Sequence, residues 1–121
     1  MTDPRILHIE VSTPQAAMDA FADIWERARR GEAVMPTESI GFESLAELLA
    51  TLTSARWELI RLVRRHGPLA PEQLPALAGQ SSEDIREHLA ALSALGILEA
   101  DASGRVLVPW DEIDLRVPLA A

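Results

Sequence analysis

A chain of 121 residues is long enough for one domain with a real core and too short for two ordinary ones. Its formal net charge of −8, from 19 acidic against 11 basic side chains, argues against a protein that coats nucleic acid generically. The absence of cysteine excludes disulfide scaffolds, thiolate zinc sites and cysteine nucleophiles together. No apolar run approaches the roughly 18 residues of a membrane span. The start, Met1-Thr2-Asp3-Pro4-Arg5, lacks a secretory signal's features, so a cytoplasmic location without a membrane partner is expected.

Ile6 to Val11 alternates, with Leu7, Ile9 and Val11 on one face and His8 and Glu10 on the other, and reads as a short strand. Thr13 is a candidate N-cap with Pro14 at the first helical position. Ala17, Phe21, Ile24, Trp25 and Ala28 then repeat at helical spacing, and arginines gather before Gly31, predicting a helix over 14–30. Glu32 to Glu43, with Pro36 and Gly41, reads as a connector. Helical spacing resumes at Ser44 through Leu45, Leu48, Leu49 and Leu52, and Thr53 or Ser54 caps a further helix to His66. Pro71 to Leu77 reads as a short helix that Pro75 should shorten or bend. After Gly79, Ser81 caps a longer helix to Leu95 whose inward residues are Ile85, Leu89 and Leu92. Residues 97–108 form a hairpin around Asp101-Ala102-Ser103-Gly104, and Ile113, Leu115, Val117 and Leu119 alternate as a last strand that Pro118 marks as an edge.

Helix, short helix, glycine turn, longer helix and hairpin is the order of a winged helix-turn-helix domain. The expected class is therefore mainly α with small β, a winged helix-turn-helix preceded by a strand-helix unit. Residues 1–43 form the extension and connector, and 44–121 the winged helix with its C-terminal strand. In that arrangement the third helix leaves its outer face free for a major groove while the hairpin flanks it.

Gly41-Phe42-Glu43-Ser44-Leu45, Ala91-Leu92-Ser93-Ala94-Leu95-Gly96-Ile97-Leu98-Glu99 and Val108-Pro109-Trp110-Asp111-Glu112-Ile113 carry a closer likeness. With them the chain resembles a family of small winged-helix DNA-binding proteins, distantly MarR-like, that includes TumA-type antitoxins. The resemblance spans roughly residues 6 to 119 and implies DNA binding, autoregulation and, in some members, neutralisation of a toxin. One departure stands out. Where the family's third helix opens with basic or amide residues, this chain has Ser81-Ser82-Glu83-Asp84, then Arg86 and Glu87. First-turn acids suit the helix dipole, whereas carboxylates in a groove are repelled by phosphates and read only cytosine N4.

The charge is unevenly spread. Residues 1–53 carry −5, residues 54–95 are neutral and residues 96–121 carry −3. Candidate DNA contacts within the neutral part are Ser81, Ser82 and Arg86 of the third helix, with Arg61 and Arg64, beside Arg65, on the first. Trp57, one turn before Arg61, offers an indole for guanidinium stacking; a solvated face paired with Glu58 is the plainer reading. Arg105 at the hairpin tip is placed either to reach a minor groove or simply to face solvent.

Phe21, Ile24 and Trp25 need cover, from the chain's own core, a second copy or a toxin. His8, His66 and His88 do not share metal-ligand spacing, and no phosphate loop, nucleophile elbow or zinc-protease pair occurs, so no metal, no cofactor and no catalysis are expected. The leading expectation is a homodimeric DNA-binding regulator that binds its own operator and acts as an antitoxin. The alternative is a protein-binding antitoxin or adaptor in which the winged helix is scaffold and the acidic flanks attract a basic partner.

Overall fold

Apolar periodicity and capping residues shape the described part of the chain, residues 3–12, 14–32 and 38–119 of a computed structural model, into a small α/β protein. Its elements in chain order are β1 (Ile6–Val11), α1 (Pro14–Arg29), β2 (Ser39–Phe42), α2 (Leu45–Thr51), α3 (Ser54–His66), a 3₁₀ turn (Pro71–Gln73), α4 (Leu74–Ala78), α5 (Ser82–Ala94), β3 (Glu99–Ala100), β4 (Val106–Leu107) and β5 (Glu112–Arg116). Two units form. One takes the described residues of Met1–Arg5 and Thr51–Asp111, the other those of Ile6–Ala50 and Glu112–Ala121.

In the first unit the caps fall where the sequence puts them. Thr53 accepts the Arg56 N–H at 3.4 Å to open α3, and Ser81 accepts the Asp84 N–H at 3.1 Å to open α5. Gly79 ends α4 with φ of 67°, in the left-handed region that a side chain disfavours. The helix expected over Pro71–Leu77 is divided, because Pro75 lies in the first turn of α4, where its missing N–H costs nothing, and a 3₁₀ turn precedes it. Leu59, Ile60 and Val63 of α3, Leu74 of α4, and Ile85 and Leu92 of α5 are buried, and no polar side chain is buried among the described residues.

The hairpin is shorter than its sequence suggests. Only Glu99 and Ala100 pair with Leu107 and Val106. Leu69 adds an antiparallel bridge, exchanging N–H···O bonds of 2.9 and 2.8 Å with Val106. This segment between α3 and the 3₁₀ turn had no strand signal, since a single bridging residue has no period.

The second unit contains a parallel sheet in the order β2-β1-β5. Ile9 stands between Ile40 and Leu115, and Leu7 beside Ile113, so the alternating apolar residues share one face. His8 lies on the opposite face with its Nδ1 3.3 Å from an Asp114 carboxylate oxygen. One expectation is corrected here. The segment read as connector, Glu32 to Glu43, contains β2; Ile40 and Phe42 are its only alternating signal, diluted by Ser39 and Gly41. The last strand forms as the edge strand expected of it and pairs in parallel with β1, Ile6 standing opposite Glu112.

The helix expected over 14–30 forms and ends at Arg29. Its proposed cap Thr13 lies outside the described residues. Phe21, Ile24 and Trp25 do not enter the core: all three are exposed. Ser44 accepts the Glu47 N–H at 3.1 Å to start α2, of which Leu48 is buried while Leu45 and Leu49 are exposed.

Because Leu92 is fully buried, Leu92→Ala is expected to lower unfolding stability by about 2–5 kcal/mol, read from urea unfolding of the whole chain.

Candidate nucleic-acid interface

The inward line of α5, Ile85 and Leu92, fixes its outer face. A rotation of about 100° per residue puts Glu83, Glu87 and Ala90 at the centre of that face, and all three are exposed. Arg86 lies to one side, by a groove between α5 and the α4 region lined also by Pro71, Pro75, Ser82 and Leu89. Its guanidinium is exposed and bonds to no described residue. Ser82 is exposed in the first turn, while the Ser81 hydroxyl accepts from the helix backbone and keeps its own hydrogen to donate. Glu83 and Asp84 occupy the first turn of α5, the end that favours negative charge.

The three arginines of α3 do not act as one patch. Arg64 turns to the segment after the β3–β4 hairpin, donating from Nη2 to an Asp111 carboxylate oxygen at 2.6 Å and from Nη1 to the Val108 carbonyl at 3.4 Å. The partner in that ion pair is 47 residues distant. Arg61 and Arg65 remain, exposed along a cleft between α3 and α4 with Glu58, Leu77 and Gln80. The expected stacking of Trp57 on Arg61 is not among the described contacts; the Arg5 guanidinium instead sits 4.5 Å from the Trp110 ring centroid.

At the hairpin tip Arg105 is exposed but oriented. Its Nε donates to an Asp101 carboxylate oxygen at 3.0 Å, and the other Asp101 oxygen accepts the N–H groups of Ser103 and Arg105, both at 2.9 Å. Gly104, with φ of 82°, donates its N–H to the Asp101 carbonyl at 3.0 Å and closes the turn. The backbone N–H of Arg105, then that of Ser103 and the Arg105 guanidinium, hold the Asp101 carboxyl below its ordinary range. Asp101 opens the turn expected from the sequence and also orients Arg105. Its signal was available in the Asp-x-x-Gly pattern, where aspartate at the first turn position bonds the following backbone.

Two further sets of contacts hold these elements. Trp110 is buried and donates its indole N–H to the Gly96 carbonyl at 3.3 Å, while Asp111 accepts the Arg5 N–H at 2.8 Å and returns its own to the Arg5 carbonyl at 2.8 Å. The stretch around Trp110 and Asp111 thus acts as a clasp on Arg5, Arg64 and the end of α5. Between α3 and α5, Arg56 donates from Nε to His88 Nδ1 at 3.1 Å and from Nη1 to the Thr51 carbonyl at 2.7 Å. Half-buried His88, expected as a packing residue, is therefore also a hydrogen-bond acceptor.

Among the described residues no group of histidines and carboxylates could hold a metal ion, and no helix is long and apolar enough to cross a membrane. The family HVO_A0114 matches residues 51–115, from the end of α2 into β5. No curated protein and no solved structure matches the chain.

The lowered Asp101 pKa has a defined pH signature. The carboxylate's contribution to the hairpin turn is complete above the unfolded value of about pH 4 and is lost as pH falls through the lower folded value. The backbone amide resonances of Ser103 and Arg105 should titrate with a midpoint below the ordinary aspartate range, and Asp101→Asn should abolish that transition.

Proposed function

The chain belongs to the HVO_A0114 family, and we propose that it is a non-catalytic winged-helix DNA-binding protein that regulates its own operon. The observation that carries this reading is the order and exposure of α3, α4, α5 and the β3–β4 hairpin. Ile85 and Leu92 fasten α5 inward, and the same helix leaves Ser82 and Arg86 in solvent, Arg86 with no partner among the described residues. α5 is the element for the major groove, and Arg105, oriented by Asp101, is the contact from the wing. Arg61 and Arg65 supply further cations for phosphates.

The acidic residues define how such a protein binds. The first unit carries seven arginines against nine carboxylates, while the rest of the chain carries most of the net charge of −8. Generic phosphate attraction is weak with that balance, so affinity depends on a few placed guanidiniums and on base contacts. Glu83 and Glu87 at the centre of the α5 face repel phosphate and accept from cytosine N4, which favours sites with cytosine in the groove. The resemblance to TumA-type antitoxins adds a small toxin as the protein partner of the same regulator.

A duplex from the chain's own promoter should bind with log K falling linearly against log salt at about −0.9 per phosphate neutralised. The double substitution Arg86→Ala and Arg105→Ala should reduce the magnitude of that slope by about 1.8, two phosphate contacts' worth, whereas Arg64→Ala should leave it unchanged. Fluorescence anisotropy across a salt series makes the measurement. An unaltered slope in the double variant excludes these two residues as the contacts.

A further inference from the structure

The exposed face of α1 is the largest feature that DNA binding does not use. Met18, Phe21, Ile24 and Trp25 are 67%, 70%, 48% and 62% exposed, far above what large apolar side chains show in a finished surface. They fall with Ala28 at spacings of three and four residues and make one stripe along a 16-residue helix. We infer that this stripe is the seam of a homodimer in which α1 of two copies pack antiparallel about a twofold axis.

Charge selects a second copy over a foreign protein. The whole chain carries −8, yet the α1 segment through Arg30 is neutral, with Asp19, Asp23 and Glu26 balanced by Arg27, Arg29 and Arg30. Those charges are already satisfied within the copy. Arg27 pairs with Asp23 at 3.3 Å, Arg29 with Glu26 at 3.1 Å and Arg30 with Glu32 at 3.7 Å, while Gln15 donates to Asp19 at 3.0 Å. The carboxylates also lie on the side of the helix away from Phe21. A basic partner would be drawn to uncompensated acids, and none border this stripe. Two acidic copies, which repel each other at a distance, meet here without a charge penalty.

Area and geometry agree. The four side chains expose on the order of 500 Å² per copy, so a symmetric pair buries about 1,000 Å², the threshold of a specific interface. A twofold axis near residue 23 sets Phe21 of each copy against Trp25 of the other and opposes the two helix dipoles. Isologous pairing also leaves no apolar surface over for further growth.

The inference is independent of the DNA reading and is tested on the full chain without DNA. Sedimentation equilibrium should give the mass of two chains at micromolar concentration. Trp25→Glu should raise the dissociation constant by at least about thirtyfold, the effect of one hot-spot residue, with the amide spectrum of residues 51–111 unchanged. Because the chain contains no cysteine, single cysteines report the geometry cleanly. Ile24→Cys, next to the axis, should oxidise to a covalent dimer, whereas Ala28→Cys should not, since its two copies stand about 15 Å apart along the seam. A monomeric wild type overturns the inference and leaves the stripe to a foreign partner. Undiminished dimerisation of Trp25→Glu, or cross-linking at residue 28 but not 24, overturns it equally.

Discussion

The Asp111 clasp is the constraint on which the first unit's order depends. One carboxylate takes the Arg5 N–H and the Arg64 guanidinium, at 2.8 and 2.6 Å, and the Asp111 backbone returns a bond to Arg5. Beside it, Trp110 lies beneath the Arg5 guanidinium and donates to Gly96, the residue that ends the α5 segment. An exposed ion pair contributes only about 0.2–1 kcal/mol, so Arg64 and Asp111 alone would specify little. Joined to a buried indole and reciprocal backbone bonds, they fix where the segment after the β3–β4 hairpin lies relative to α3 and α5. Arg5 and Asp111 also precede Ile6 and Glu112, the first paired residues of two parallel strands.

This arrangement explains which arginines are available for a ligand. Arg64 and Arg5 serve the clasp, Arg56 serves His88 and the Thr51 carbonyl, and Arg105 is aimed by Asp101 while staying in solvent. Arg61, Arg65 and Arg86 remain without described partners. A net charge of −8 first argues against nucleic acid, but whole-chain charge says little about a face whose cations are placed individually. The opposing charge at that face is reduced to Glu83, Asp84 and Glu87, of which the first two also favour the start of α5 through its dipole.

Local signals in the sequence were sufficient for local structure. Thr53, Ser81 and Gly79 mark helix ends through bonds that span three or four residues, and the hairpin follows from a turn of four. Long-range pairings had no such signal. The Arg5–Asp111 and Arg64–Asp111 bonds join residues 106 and 47 positions apart respectively, and nothing near either partner announces the other. β2 was hidden for another reason, since Gly41 and Ser39 leave two apolar residues to carry the alternation. On α1 the stripe was legible and its cover was not, because periodicity identifies an apolar face without stating what packs on it. At the candidate interface, Ser82, Arg86 and Arg105 are legible from their position in the element order, whereas the Arg64–Asp111 ion pair is not, because helical proximity to Arg61 says nothing of a partner 47 residues away.

The central claim is that α5 and the wing form one DNA-binding face. Titration of isotope-labelled protein with a duplex from its own promoter, followed by amide chemical shifts, tests it directly. The account predicts perturbations concentrated at Ser82, Glu83, Arg86, Glu87 and Ala90 and at the Asp101–Arg105 turn, with residues of α1 unmoved. Perturbations confined to α1, or none at concentrations that saturate an ordinary regulator, would contradict it.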